Sequence, residues 1–271
     1  MIRWCSYCHH FIGECEPWAD HQITHGVCQS CFKMVVADIA PDPLAMQEIK
    51  TFFRSMQAIA RSGTQVKMEK ILQESRRLRM PPMDLLLGIL QPLLVEIGQL
   101  WEAGQVTVAV EHRFSALVQE LVAQVQNDVV GPAAPDRAEL ILFNAEGNDH
   151  RLGLLMAEYF FVSCGIATHA VMQGISVHAV LDMLDSRKPR AVGFSVAMAA
   201  QMQQVREVAA RVKDLANPPR HLFVGGPALR MGLDLDPSLG IQPCYQLSEA
   251  LPFFEEMGGG PSMRAQTTRR H

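Results

Sequence analysis

The apolar run Glu139–Ala145 (E-L-I-L-F-N-A) constrains this chain more than any other stretch, because it opens a steady alternation of strand-like and helix-like segments. Candidate strands follow at Ala167–Met172, Ala191–Val196 and His221–Val224, with a short one at Gly240–Pro243. Helical patterning fills the intervals at about 152–164, 176–185, 200–216, 227–232 and 247–257. Short apolar strands separated by helices of this length build a parallel sheet covered on both faces. The expectation over 137–257 is a doubly wound parallel α/β domain of flavodoxin-like order. Ligands of such sheets bind outside the carboxyl ends of the strands, here the loops Gly147–Gly153, Gln173-Gly174, Ser195–Ala199 and Gly225-Gly226-Pro227.

Upstream of the Gly131-Pro132-Ala133-Ala134-Pro135 linker the pattern is helical. Helices are predicted at about 44–61, 65–79, 83–103 and 107–128, punctuated by Ser62-Gly63, Pro81-Pro82 and Gly104. Val110, Phe114, Leu117, Leu121 and Val125 recur at helical spacing as a core-facing stripe. Four helices with short loops read as an antiparallel bundle over 44–130, its third helix kinked at Pro92. Trp101 closes that third helix, and Glu111 with His112 opens the fourth, so both meet at the Gly104 turn. An aromatic, a carboxylate and an imidazole on one rim suit a flat, partly apolar ligand. Composition alone favours a core tryptophan beside a solvated Glu-His pair.

The N-terminal 1–40 segment carries Cys5-x-x-Cys8 and Cys28-x-x-Cys31 with 19 residues between the pairs. Each pair can present two thiolates to one tetrahedral ion, and two such knuckles close a structural zinc site. A segment of about 36 residues cannot build a core large enough to fold alone, so a metal is physically expected. Cys15, His9, His10, His21 and His25 are further potential ligands, but they break the symmetry of the pairs. A four-cysteine site has no open coordination position for catalysis. Trp4-Cys5-Ser6-Tyr7-Cys8 with Ile23–Cys28 resembles a zinc-ribbon-like cysteine-pair module attached to bacterial signalling proteins.

Hydrophobic residues at 48% and charged ones at 19% allow a sizeable core, and a net charge of −4 gives no electrostatic reason to expect nucleic-acid binding. The basic tail Arg264–His271 follows Gly258-Gly259-Gly260-Pro261, and 258–271 reads as disordered by composition. No stretch approaches the roughly 18 apolar residues of a membrane span, and the N-terminus lacks a signal-peptide core. The expectation is a cytoplasmic protein whose seven cysteines are thiols or metal ligands, with no membrane partner.

His150 stands on the turn after the first strand of the sheet, in Asn148-Asp149-His150-Arg151-Leu152-Gly153. Alone, it reads as a solvated loop histidine. His150-x-x-Gly153 is followed after 41 residues by Ser195-Val196-Ala197, and after 27 more by Gly225-Gly226. Taken singly, Ser195 reads as a strand-end cap and Gly225-Gly226 as a tight turn. Together, the order His-x-x-Gly, Ser, Gly-Gly resembles the cobalamin-binding domain shared by methionine synthase, mutases, corrinoid carrier proteins and cobalamin-dependent regulators. The resemblance covers about residues 44–257, since a four-helix cap directly upstream is also a family feature. Trp101-x9-Glu111-His112 is similar to the signature of light-sensing adenosylcobalamin regulators.

That resemblance implies His150 as lower cobalt ligand, with Asn148, Asp149, Gly153, Ser195, Gly225 and Gly226 around the cofactor and its nucleotide tail. It implies Trp101 as the shield of the upper ligand and Glu111 and His112 as its neighbours. Two positions depart from the family pattern. Asn148 replaces a carboxylate that would draw the imidazole proton and strengthen the cobalt bond. Ala197 replaces a leucine and leaves a roomier wall. The implied function is a non-enzymatic cobalamin-binding regulator, loaded with adenosylcobalamin or methylcobalamin, sensing light or cofactor state. Antirepressor-type relatives in photosynthetic bacteria also lack a DNA-binding domain, so the expected partner is a protein, such as a transcription factor or sensor kinase. A homo-oligomer is compatible with this reading. The alternatives are a corrinoid methyl-carrier subunit of a methyltransferase system and a haem-binding sensor.

Overall fold

The computed structural model describes residues 1–35, 42–129, 138–233 and 235–255. The linker 131–135 and the tail from 258 lie outside these residues. The chain divides into two compact units, Met1–Asp128 and Val129–His271.

The first unit begins with a three-stranded sheet of β1 (Ile2–Cys5), β2 (Phe11–Glu14) and β3 (Ile23–Gly26). Strand β1 is central, antiparallel to β2 and parallel to β3. Helix α1 (Gln29–Val35) begins right after Cys28 and carries Cys31, and α2 (Pro43–Ser62) and α3 (Met68–Arg77) come next. Asp42 caps α2 by accepting from the Leu44 and Ala45 amides, and Gly63 ends it in the left-handed conformation. Both signals match the predicted boundaries. The fourth helical stretch, α4 (Pro82–Glu102), is interrupted by a π-helical turn at Leu86–Leu90, and α5 (Val108–Val129) completes the helical region.

The π-turn is the form the expected kink takes. Pro92 has no N–H to donate one turn back, and the preceding Gln91 amide reaches five residues back to Leu86. All five residues of that turn are buried. Gly88 lies within it where Trp4 enters: a Cβ there would stand 2.6 Å from Cζ2 of the indole and 3.0 Å from Phe11 Cβ. Trp4 is fully buried and meets Phe11 edge to face. The small sheet is thus keyed into α4, and His10 Nδ1 and Asp84 Oδ2, 2.8 Å apart, bond the same two elements.

Helix α4 also corrects one expectation. By length and composition this stretch of 21 residues is apolar enough to cross a membrane, but 61% of its most apolar window is buried inside the protein. It is apolar because the ribbon and α2 pack against it as a core helix.

The second unit has a five-stranded parallel sheet of β4 (Leu140–Asn144), β5 (Thr168–Val171), β6 (Ala191–Ser195), β7 (His221–Gly225) and β8 (Ile241–Pro243). Its order, β5-β4-β6-β7-β8, is the flavodoxin-like 2-1-3-4-5 expected from the alternation. Helices α6 (Arg151–Ser163), α7 (Val177–Arg187) and α8 (Met202–Arg211) follow β4, β5 and β6. Short turns, α9 (Pro227–Arg230) and α10 (Pro252–Glu255), complete the unit. Strand residues Ile141, Phe143, Val192, Phe194 and Val224 form one core with α7 and α8. A strand buried on both faces reads as a continuous apolar run, which is why β4 and β6 were legible.

Candidate cofactor site and cysteine cluster

The register of the sheet brings three loops to one edge. Asn144 pairs with Ser195, and Ser195 with Gly225, so the ends of β4, β6 and β7 are aligned. His150 is exposed immediately before the first residue of α6.

Asn148, only 4% exposed, fixes that histidine. Its Nδ2 donates to the Ser195 carbonyl at 3.0 Å, and its Oδ1 accepts the His150 backbone N–H at 3.0 Å. The amide orientation is therefore set by partners of both kinds. Oδ1 also lies 3.2 Å from His150 Nδ1, so Nδ1 must carry the proton and donate to it. In the neutral ring Nε2 is then the nitrogen with the free lone pair, the form that ligates a metal. The carboxylates of Glu146 and Asp149 make no hydrogen bond or ion pair with the His150 ring among the described residues. Neither substitutes for the missing acid at 148.

A set of buried amides holds the loops around this histidine. Asn144, 1% exposed, donates from Nδ2 to the Asn148 carbonyl, while its Oδ1 is buried without a partner among the described residues. Gln201 accepts the Ala197 and Met198 amides at 2.8 and 3.1 Å and donates to the Gly147 carbonyl at 3.1 Å. Gln204 accepts the Glu146 amide at 2.7 Å and donates to the Ile175 carbonyl. Sequence reasoning missed Asn144, Gln201 and Gln204. The only available signal was polar residues at apolar positions of a strand end and of the α8 entry.

Gly226 has φ of 110°, and a Cβ on it would collide with the Val196 carbonyl, so the turn after β7 requires glycine. Gly225 is less restricted, since a Cβ there would stand 3.3 Å from the Cys244 carbonyl. Gly153 faces open space in the first turn of α6. The Ser195 hydroxyl makes no hydrogen bond with the described residues, leaving a donor and acceptor free at the edge. The free imidazole nitrogen, this hydroxyl, the unpartnered Asn144 Oδ1 and the close backbone approach at Gly226 fit a ligand carrying a metal and a polar tail.

In the first unit the rim of α4 and α5 carries Trp101 at 47% exposure, which overturns the core-tryptophan reading. Val108, equally exposed, is a second large apolar side chain on that rim and was not singled out from sequence. Glu111 is fixed by Ser115 Oγ at 2.6 Å, and His112 Nε2 lies 3.5 Å from its other oxygen. The Glu-His pair is therefore a held carboxylate beside an open imidazole, 22% and 74% exposed.

The sulfurs of Cys5, Cys8, Cys28 and Cys31 all lie within 4.8 Å of one another, and those of Cys8 and Cys28 are 3.7 Å apart. Four thiolates at ~2.3 Å from a tetrahedral zinc would stand ~3.8 Å apart, so the cluster fits that ion. The Cys28 amide donates to Cys5 Sγ and the Cys31 amide to Cys28 Sγ, at 3.5 and 3.4 Å. Burial raises the Cys5 thiol, but backbone amides of Cys8, Cys28 and Tyr7 outweigh it and bring the pKa down to about 6. Burial pushes Cys31 up to about 11 and Cys8 further still. Three of the five alternative ligands are engaged elsewhere: His10 with Asp84, His21 with Gln99 and His25 with Lys50.

Residues 54–126, in the helical region, match the family model described as "B12 binding domain". The chain is similar to the HTH-type transcriptional repressor CarH of Myxococcus xanthus, 24% identical over 186 residues, or 69% of this chain and 61% of that protein. It thus spans about three fifths of the length of that relative. It also resembles the monomethylamine corrinoid protein of Methanosarcina barkeri, with a TM-score of 0.55 and 15% identity over 74% of this chain and 95% of that one. The latter likeness is one of fold.

Proposed function

We propose that this protein is a cobalamin-binding regulator that is not itself an enzyme and acts on transcription through a protein partner, with His150 Nε2 as the lower cobalt ligand. The observation that carries the assignment is the Asn148 amide, which holds the proton on Nδ1 and leaves Nε2 free at the sheet edge. The B12 match and the similarity to a transcriptional repressor support cobalamin and regulation respectively. The functional division is a zinc-holding segment 1–40, a helical cap 44–130 and an α/β domain 137–257.

Bound cobalamin supplies a cobalt whose upper ligand can exchange in response to light or to cofactor state. His150 orients the lower side, and Ser195 with Gly225 and Gly226 accommodates the nucleotide tail. Trp101, Glu111 and His112 serve the upper ligand. The exposure of Trp101 supports that role, because an indole at the surface is free to cover a ligand. Cys5, Cys8, Cys28 and Cys31 hold zinc as a structural ion.

Absorbance of the protein loaded with adenosylcobalamin, dark and illuminated, tests the reading. The expected result is a His-on spectrum that changes on illumination, together with a changed oligomeric state or partner affinity. His150→Ala should give a base-off spectrum or no binding; an unaltered His-on spectrum would sink the ligand assignment. A light-insensitive spectrum with methylation by a methyltransferase would make the protein a methyl carrier. A Soret band would make it a haem sensor.

A further inference from the structure

The first unit contains a cleft of about 840 Å³ that neither the cysteine cluster nor the cobalamin reading uses. One wall is α2, the second is the end of α4, and the third is the ribbon segment Ala19–Ile23. Lys50, Phe53, Arg54, Gln57 and Arg61 line it in sequence along one face of α2. The eleven rises from Lys50 to Arg61 span ~16 Å, so the cleft is long as well as wide. That shape suits a segment of chain better than a compact ion.

Charge selects the segment. Glu96, with 8% of its side chain exposed, accepts from Arg61 and from Gln57 Nε2, so Arg61 is spent on a buried carboxylate. Asp20, on the ribbon wall, accepts the neutral Gln22 amide at 2.9 Å and so keeps its negative charge, leaving three cations of the lining (Lys50, Arg54, Arg61) against two carboxylates (Asp20, Glu96). Arg54 has no hydrogen-bond or ion-pair partner among the described residues. Lys50 Nζ lies 3.2 Å from His25 Nε2, a neutral acceptor that leaves the ammonium charge uncancelled. Two cations without a carboxylate partner among the described residues therefore stand one helical turn apart beside Phe53, Ile23 and Leu100. The lining is mostly polar, with Ile23 and Leu100 as its partly exposed apolar residues, and its positive charge is concentrated at Lys50 and Arg54 on α2.

We propose that this cleft docks an acidic, amphipathic segment of a protein partner, its carboxylates on Lys50 and Arg54 and its apolar face on Ile23 and Leu100. The proposal rests on the reading that the chain acts through a protein partner, but not on the cobalt chemistry. Docking there would bridge the ribbon and the helical region at once.

The test uses full-length protein loaded with zinc and cobalamin, and a labelled helical peptide of about 12 residues, ~18 Å long, with leucines on one face and glutamates on the other. Fluorescence anisotropy should show saturable binding that weakens with salt. Lys50→Glu with Arg54→Glu should weaken it at least about tenfold, and Leu100→Ser less. Both charge-reversed side chains project from the helix surface, so the circular dichroism and cobalamin spectra should not change. Equal binding by wild type and the double variant would overturn the proposal, as would no binding at low salt. A single-stranded oligonucleotide bound in place of the peptide would overturn it too. Protein that fails to bind cobalamin but still binds the peptide through Lys50 and Arg54 would refute the cofactor reading alone.

Discussion

The two units hold their buried polar groups by opposite means. The first uses charge: Asp84 against His10 ties the ribbon to α4, and Glu96 against Arg61 and Gln57 ties α4 to α2. Burial pushes the Asp84 carboxyl up against the pull of His10, and their hydrogen bond raises His10 in turn. The second unit uses amides: Asn144, Asn148, Gln201 and Gln204 join the loops at the sheet edge without bringing a charge to it. An amide donates and accepts at once, so a single side chain can span two loops and fix a third group's tautomer. Ion pairs give a one-to-one register between elements but leave a costly charge when either partner goes.

The largest break is at the cysteines. Cys5→Ser with Cys28→Ser should remove bound zinc and unfold the ribbon, since structural zinc contributes on the order of 10 kcal/mol of apparent binding free energy. Metal content and thermal unfolding would show it, while absorbance of the variant mixed with cobalamin serves as the contrast. Next comes His10→Ala, which strands Asp84 and should cost about 3 kcal/mol at neutral pH. The loss should shrink in acid, where the carboxyl takes up its proton, and His10→Ala with Asp84→Asn should recover most of it in denaturant titrations.

Asn148 inverts the experiment. Asn148→Ala should cost about 1–3 kcal/mol through the lost bonds to Ser195 and His150. Asn148→Asp restores an acceptor for the imidazole but sets a carboxylate against the Ser195 carbonyl, so its stability should rise as pH falls. A variant as stable at neutral pH as in acid would show that the site tolerates charge as the first unit does. The smallest effect belongs to Glu158, whose carboxyl burial raises while the Ala170 amide partly offsets it. A raised folded pKa means stability is lost as pH climbs from about 4.5 through that value, and Glu158→Gln should flatten this slope.

Much of this was legible in the sequence, and for a reason. Strands buried on both faces and helices with Asp42 or Gly63 at their ends announce themselves locally, so the sheet order followed from alternation. His150, Ser195 and Gly226 were legible as a spaced set, although only register explains why Ser195 and Gly225 are neighbours. The amide network was not legible, because an asparagine bonded to a backbone carbonyl leaves no periodic trace. Nor was the π-turn beneath Trp4: Pro92 announced a disturbance, but the five-residue bond from Gln91 to Leu86 and the indole packed on Gly88 leave no mark in the sequence pattern.

The fit of Trp4 over Gly88 has a further use. Because α4 offers no side chain there and the indole is wholly enclosed, Trp4→Ala would leave a dry recess in the outline of the missing ring. Free indole added to that variant should settle into the recess and raise its melting temperature, turning the joint between ribbon and helix into a chemically addressable latch.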